Sequence, residues 1–101
     1  MEFELTAENF SDEVLNADKR IVDFFAPWCS PCMMMMPTIE YLYDDDVLPI
    51  GRVNVEDDPG LAREYGVMSV PTLIVFKNGK AAARLGGYHS EEDIINFYRS
   101  V

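Results

Sequence analysis

The residues best suited to chemistry are Cys29 and Cys32, the only two cysteines, which sit in the tetrapeptide Cys29-Ser30-Pro31-Cys32. A thiol attacks a disulfide only as its thiolate, so a nucleophilic cysteine needs a neighbour that stabilises negative charge and leaves the sulfur reachable. The start of a helix offers both. Unpaired backbone N–H groups and the helix dipole converge there, and each pKa unit by which they lower a thiol represents about 1.4 kcal/mol. With Cys29 at such a start, Cys32 lies one turn on, within reach of the Cys29 sulfur, and is placed to displace a mixed disulfide. Pro31 stiffens the link and is tolerated because the first helical turn has no internal partner for the missing N–H.

The same spacing occurs in zinc sites, which take four protein ligands when structural and three when catalytic. No second cysteine pair is present and His89 is the single histidine, so the ligand count disfavours metal. An inert structural disulfide is disfavoured as well, because so short a loop restrains little unfolded-chain entropy.

The pair has to be positioned by the elements around it. Ile21 to Ala26 is a strand-length run rich in β-branched and aromatic residues, expected to be central and covered on both faces, with Asp23 as its one carboxylate. The spacing predicts a helix from Cys29 or Ser30 through Tyr43, kinked at Pro37. Upstream, Phe3 to Leu5 reads as a short first strand, and Thr6 is placed to cap a helix bearing Phe10, Val14 and Leu15, with Glu8 and Glu13 on its outer surface. Downstream, Ile50 to Val55 reads as a strand, and Asp57 to Gly60 as a turn into a short helix closed by Gly66. Thr72 to Phe76 and Ala81 to Leu85 form a hairpin across Asn78-Gly79, and Ser90 caps a last helix using Ile94, Ile95, Phe97 and Tyr98. This order defines an α/β domain, residues 1–101, with a mixed central sheet flanked by helices on both faces.

Composition narrows the function classes. The 101 residues fit one domain, and 49% hydrophobic content lies far from disordered composition. A net charge of −10 repels phosphate backbones and anionic lipids, so neither nucleic acid nor a membrane is expected as a partner. No apolar stretch approaches the roughly 20 residues of a spanning helix, and Met1 to Leu5 lacks the pattern of a secretory signal, so the expected location is cytoplasmic. Two closely spaced cysteines argue for catalysis over stapling.

The segment Val22-Asp23-Phe24-Phe25-Ala26-Pro27-Trp28-Cys29-Ser30-Pro31-Cys32 resembles the active-site region of thioredoxins. The likeness continues through Asn54-Val55-Glu56, Tyr65-Gly66-Val67, Val70-Pro71-Thr72-Leu73 and Phe76-Lys77-Asn78-Gly79, covering essentially the whole chain. It implies the thioredoxin fold and reduction of protein disulfides, with Cys29 exposed and Cys32 shielded. It also implies a monomer re-reduced by a thioredoxin reductase that draws on NADPH, with no cofactor in the domain itself. Trp28, Ser30 and Pro31 would form part of the substrate surface. Pro71 would be a cis-proline facing the disulfide, and the Val70 backbone would pair with an extended substrate segment. Gly86 would line the same groove or simply end a strand. Asp23 would be the buried carboxylate that helps deprotonate Cys32 through water, a role favoured by desolvation, against the plainer reading of a locally bonded strand-end residue. Arg52 and Glu56 read as surface or strand-edge charges, although the resemblance implies that a basic side chain near the Arg52 position can lie close to Asp23. Two other functions compete: a binding module with incidental thiols, and a disulfide oxidase or isomerase. The second is disfavoured by Pro31, where those relatives often carry histidine, and by the absent leader.

Ser30 stands where thioredoxins commonly carry glycine, and Met33 where they commonly carry a basic residue. A serine hydroxyl favours the thiolate while a lost cation disfavours it, so the two departures oppose each other. Met33 to Met36 cannot all face one core, because consecutive helical residues point about 100° apart. The run is read as flexible core filling or as adaptable contact with varied substrates, with Met68 joining the groove. His89 is expected at an exposed helix start.

Overall fold

A computed structural model describes all residues, 1–101. Its four-stranded sheet has the order β2-β1-β3-β4, with β1 at Lys19–Phe25, β2 at Ile50–Asn54, β3 at Thr72–Lys77 and β4 at Lys80–Gly86. Strand β1 pairs parallel with β2 and antiparallel with β3, and β4 closes the hairpin on β3, so the sheet is mixed. Six of the seven residues of β1 are buried, as expected for a strand with neighbours on both sides and cover on both faces.

Alternation along β1 divides the interior in two. Ile21 and Phe25 point to the face covered by α1, Ser30–Asp44, and α3, Glu91–Arg99, where they meet Cys32, Met35, Ile39, Leu42 and Ile94. Val22 and Phe24 point to the opposite face, where Leu5, Phe10, Val14 and Leu61 cover the sheet. Leu61 belongs to α2, Pro59–Glu64, which ends as the glycine predicts: Gly66 adopts φ +66° while the Val67 N–H donates to the Ala62 carbonyl at 2.8 Å. The Asn78-Gly79 turn also forms as expected, with both residues at positive φ and Lys77 opposite Lys80. Beyond it, β4 is largely exposed, and the pairing slips by a bulge at Val75/Phe76.

The amino-terminal part departs from the reading. Phe3 to Leu5 contributes a single bridge, Glu4 to Arg52, because the chain turns away at once. The Thr6 N–H donates to the Asn9 side chain at 2.8 Å, and the Asn9 N–H donates back to the Thr6 hydroxyl at 3.4 Å. The helix expected after Thr6 shrinks to one π-helical turn, Ser11–Leu15, in which the Asn16 N–H donates to the Ser11 carbonyl at 2.9 Å. Glu13 is not a free surface charge, for its carboxylate accepts from the Arg20 guanidinium at 3.2 Å. Arg20 is itself buried on the sheet's second face, donating also to the carbonyls of Glu2, Pro49 and Ile50. Gly51 leaves room for Leu5 and Arg20 together, since a Cβ there would lie 2.6 Å from the Leu5 Cδ1 and 3.0 Å from the Arg20 Nη2. His89 is half-buried rather than exposed, bridging the Gly86 carbonyl at 3.0 Å and Asp93 at 3.4 Å.

Candidate active site

Strand β1 delivers the chain to the sheet's end, and α1 begins at once. Cys29 caps α1 with extended backbone, its sulfur accepting from the Cys32 N–H at 3.2 Å, while the Met33 N–H donates to the Cys29 carbonyl at 3.0 Å. Ser30 and Pro31 are the first two helical residues, so the N–H that proline lacks is one the helix would leave unpaired anyway. No acidic residue occupies the first turn to oppose a thiolate there. The two cysteines form a disulfide with Cα atoms 5.2 Å apart. Cys29 is buried, at 5% exposure, rather than exposed as the resemblance implies, because the Val70 carbonyl packs 3.7 Å from its sulfur; Cys32 has no exposed surface, so the little that remains open belongs to Cys29 alone.

Facing the disulfide is the loop that leads into β3. The Val70–Pro71 peptide is cis, and the Val70 carbonyl oxygen lies 3.7 Å from the Cys29 sulfur. Pro71 is buried, and its carbonyl accepts from the Gly87 N–H at 2.9 Å, which fastens the loop to the end of β4 beside Gly86. A Cβ built on Gly86 meets nothing within 4 Å, so the position opens to solvent and its glycine answers no internal crowding. On the other side Trp28 is 69% exposed, and its indole N–H donates to the Glu56 carboxylate at 2.6 Å. From sequence Glu56 reads as a surface or strand-edge charge, with no partner named. The signal that locates it is register, because pairing Phe25 with Asn54 carries both chains past the sheet's end side by side.

A groove of about 480 Å³ is lined by Trp28 and Val70 together with Val55, Pro59, Ala62, Val67 and Met68, and Arg63 is its one charged lining residue. Met68 is almost wholly exposed. Of the methionine run, Met33 and Met34 face outward and Met35 and Met36 inward, so it fills core and lines surface at once.

Asp23 shares the phase of Ile21 and Phe25 on β1 and is fully buried, with neither carboxylate oxygen hydrogen-bonded within the protein. Burial pushes its pKa up to about 7, against a smaller opposing pull from Arg52. A carboxyl that exchanges its proton near neutrality therefore sits on the sheet face covered by the helix that carries both sulfurs.

A disulfide at a helix start, a cis-proline loop against it and an apolar groove alongside define a dithiol–disulfide exchange protein. Comparison with known proteins agrees. The thioredoxin family matches residues 2–100. A thioredoxin of Chlorobaculum thiosulfatiphilum is 44% identical over 88 residues, covering 84% of this chain and 82% of its own length. A thioredoxin of Chlamydia caviae is 41% identical over 92 residues, covering 90% of this chain and 89% of its own. Among solved structures, a mutant thioredoxin from Halobacterium salinarum superimposes with a TM-score of 0.85 at 29% identity, covering 97% of this chain and 88% of that one. The chain belongs to the thioredoxin family, and it is a protein-disulfide oxidoreductase whose partners are a reductase and disulfide-bearing proteins.

Proposed function

We propose that the protein reduces disulfides of client proteins in the cytoplasm as a single-domain monomer, residues 1–101, and is returned to the dithiol state by an NADPH-dependent thioredoxin reductase. The Cys29 thiolate attacks one client sulfur, the client S–S bond breaks, and the departing thiolate takes up a proton. Asp23, ionised, accepts the Cys32 proton through water. The Cys32 thiolate then attacks the Cys29 sulfur, closes the Cys29–Cys32 bond and releases the second client thiolate, which is protonated in turn. Two electrons pass to the client, and its two sulfurs leave as thiols.

The observation that carries this reading is the Cys29 sulfur, held at the start of α1 with the Cys32 N–H donating to it at 3.2 Å and keeping the little exposed surface the pair has. Amides at that helix start stabilise the negative charge of the thiolate. Docking of an extended client segment on the Val70 backbone, beside Pro71 and Gly86, is supported by the Val70 carbonyl 3.7 Å from that sulfur and by the open space around Gly86. Trp28, Ser30 and Pro31 supply the opposite wall. The cytoplasm suits a reductant because its poise keeps the dithiol replenished.

The test is insulin reduction coupled to NADPH and a thioredoxin reductase. The expected outcome is turnover by the native chain and none by Cys29→Ser, with Cys32→Ser trapping a mixed disulfide instead of releasing product. If the double substitution of both cysteines left biological function intact, a binding module would replace this reading.

A further inference from the structure

Arg52 is the Cα partner of Asp23 across the β1/β2 pair, yet neither oxygen of Asp23 receives a hydrogen bond. The guanidinium is engaged elsewhere. Its Nε donates to the Glu4 carboxylate, its Nη1 lies 3.0 Å from the Met36 sulfur and 3.9 Å from the Glu40 carboxylate, and its central carbon sits 4.8 Å from the Phe3 ring centre and 5.2 Å from that of Phe25. Glu4 comes from the bridging segment before the first turn and Glu40 from the exposed side of α1, so both draw the cation away from the sheet's interior. No second charge acts on Asp23: Leu73 is its partner on β3, and the core on its side of the sheet takes Cys32 and Met36 from α1 and Ile94 from α3.

We propose that Glu4 and Glu40 are positioning residues, holding Arg52 outward so that Asp23 stays unpaired. Released from them, the guanidinium is free to swing into a charge-assisted pair with Asp23, which would fix the carboxylate in its ionised form. Asp23 would then be too weak a base to take the Cys32 proton in the reducing direction, and would rarely hold one to return in the reverse. The consequence for turnover rests on the proton-transfer role of Asp23; the positioning itself does not.

The experiment follows the Asp23 side-chain carboxyl by carbon-13 NMR against pH in the disulfide form. Four proteins are compared: the native chain, Glu4→Gln/Glu40→Gln, Arg52→Met, and the triple variant. With Arg52 present, removing both carboxylates is expected to lower the Asp23 midpoint by about one pH unit or more; with Arg52→Met the same pair of substitutions leaves it in place. Glu4→Gln alone, an exposed and nearly isosteric change that the fold tolerates, gives a smaller shift of the same sign. An unmoved midpoint overturns the proposal, and so does an equal shift in the Arg52→Met background, which would mean that the carboxylates act directly through space. Asp23→Asn in the insulin assay examines the proton-transfer role separately, so the failure of one is distinguishable from that of the other.

Discussion

At the scale of single residues, burying an ionisable group without a partner ties the reaction to stability. Asp23 has its pKa raised from 3.8 to about 7, so between those values the folded protein keeps a proton that the unfolded chain has released. Its contribution is most favourable in acid, is lost as pH rises from about 4 to 7, and is level above that, a swing of about 4 kcal/mol at about 1.4 per pH unit. Asp23→Leu removes the swing. It should stabilise the protein by about 2–4 kcal/mol more at pH 8 than at pH 4 in urea titrations, while slowing disulfide reduction at neutral pH. Equal gains at the two pH values would show that the carboxyl is not held as argued. Arg20 is the opposite case, a buried cation whose partners are all present: Glu13, and the carbonyls of Glu2, Pro49 and Ile50. Its placement is open to a closer reading of the sequence, for Arg20 shares the phase of Val22 and Phe24, both of which must be buried.

At the scale of elements, the turns obey local rules that single substitutions can check. Gly79 sits at φ +80° with a would-be Cβ 3.2 Å from the Leu15 carbonyl oxygen, so Gly79→Ala meets both backbone strain and a backbone atom. A loss of about 1–2 kcal/mol is expected in urea unfolding, with the fold retained; no loss would mean that the turn relaxes freely. Such elements were legible because their signals are local: Asn-Gly for the hairpin, Gly66 for the end of α2, Ser90 for the start of α3. The amino-terminal region was not. Phe3, Leu5, Phe10 and Val14 were recognisable as apolar contacts, but whether they form a strand and a helix depends on the Thr6–Asn9 turn and on Arg20, both matters of the folded chain. In the site, the cysteines declared themselves by spacing and Asp23 by interrupting an apolar run. The Trp28–Glu56 bond and the contacts of Arg52 with Glu4 and Glu40 did not, because they depend on strand register and on the amino-terminal bridge, invisible in one dimension.

At the scale of the whole molecule, the net charge of −10 acts on encounter more than on chemistry. Basic disulfide clients should be reduced faster than acidic ones of similar redox potential at low ionic strength, and the gap should close as salt rises past about 0.15 M, where the screening length falls to about 8 Å. Rates that ignore salt for both client types would place recognition entirely in the apolar groove. The sheet's outer margin carries one more consequence. Strand β4 is exposed along most of its length, a row of backbone groups open to pairing with a foreign strand, yet it carries Lys80 and Arg84, and the slip at Val75/Phe76 twists its line. Charge and slip together thus guard this border of the sheet against foreign strands that would stack on it.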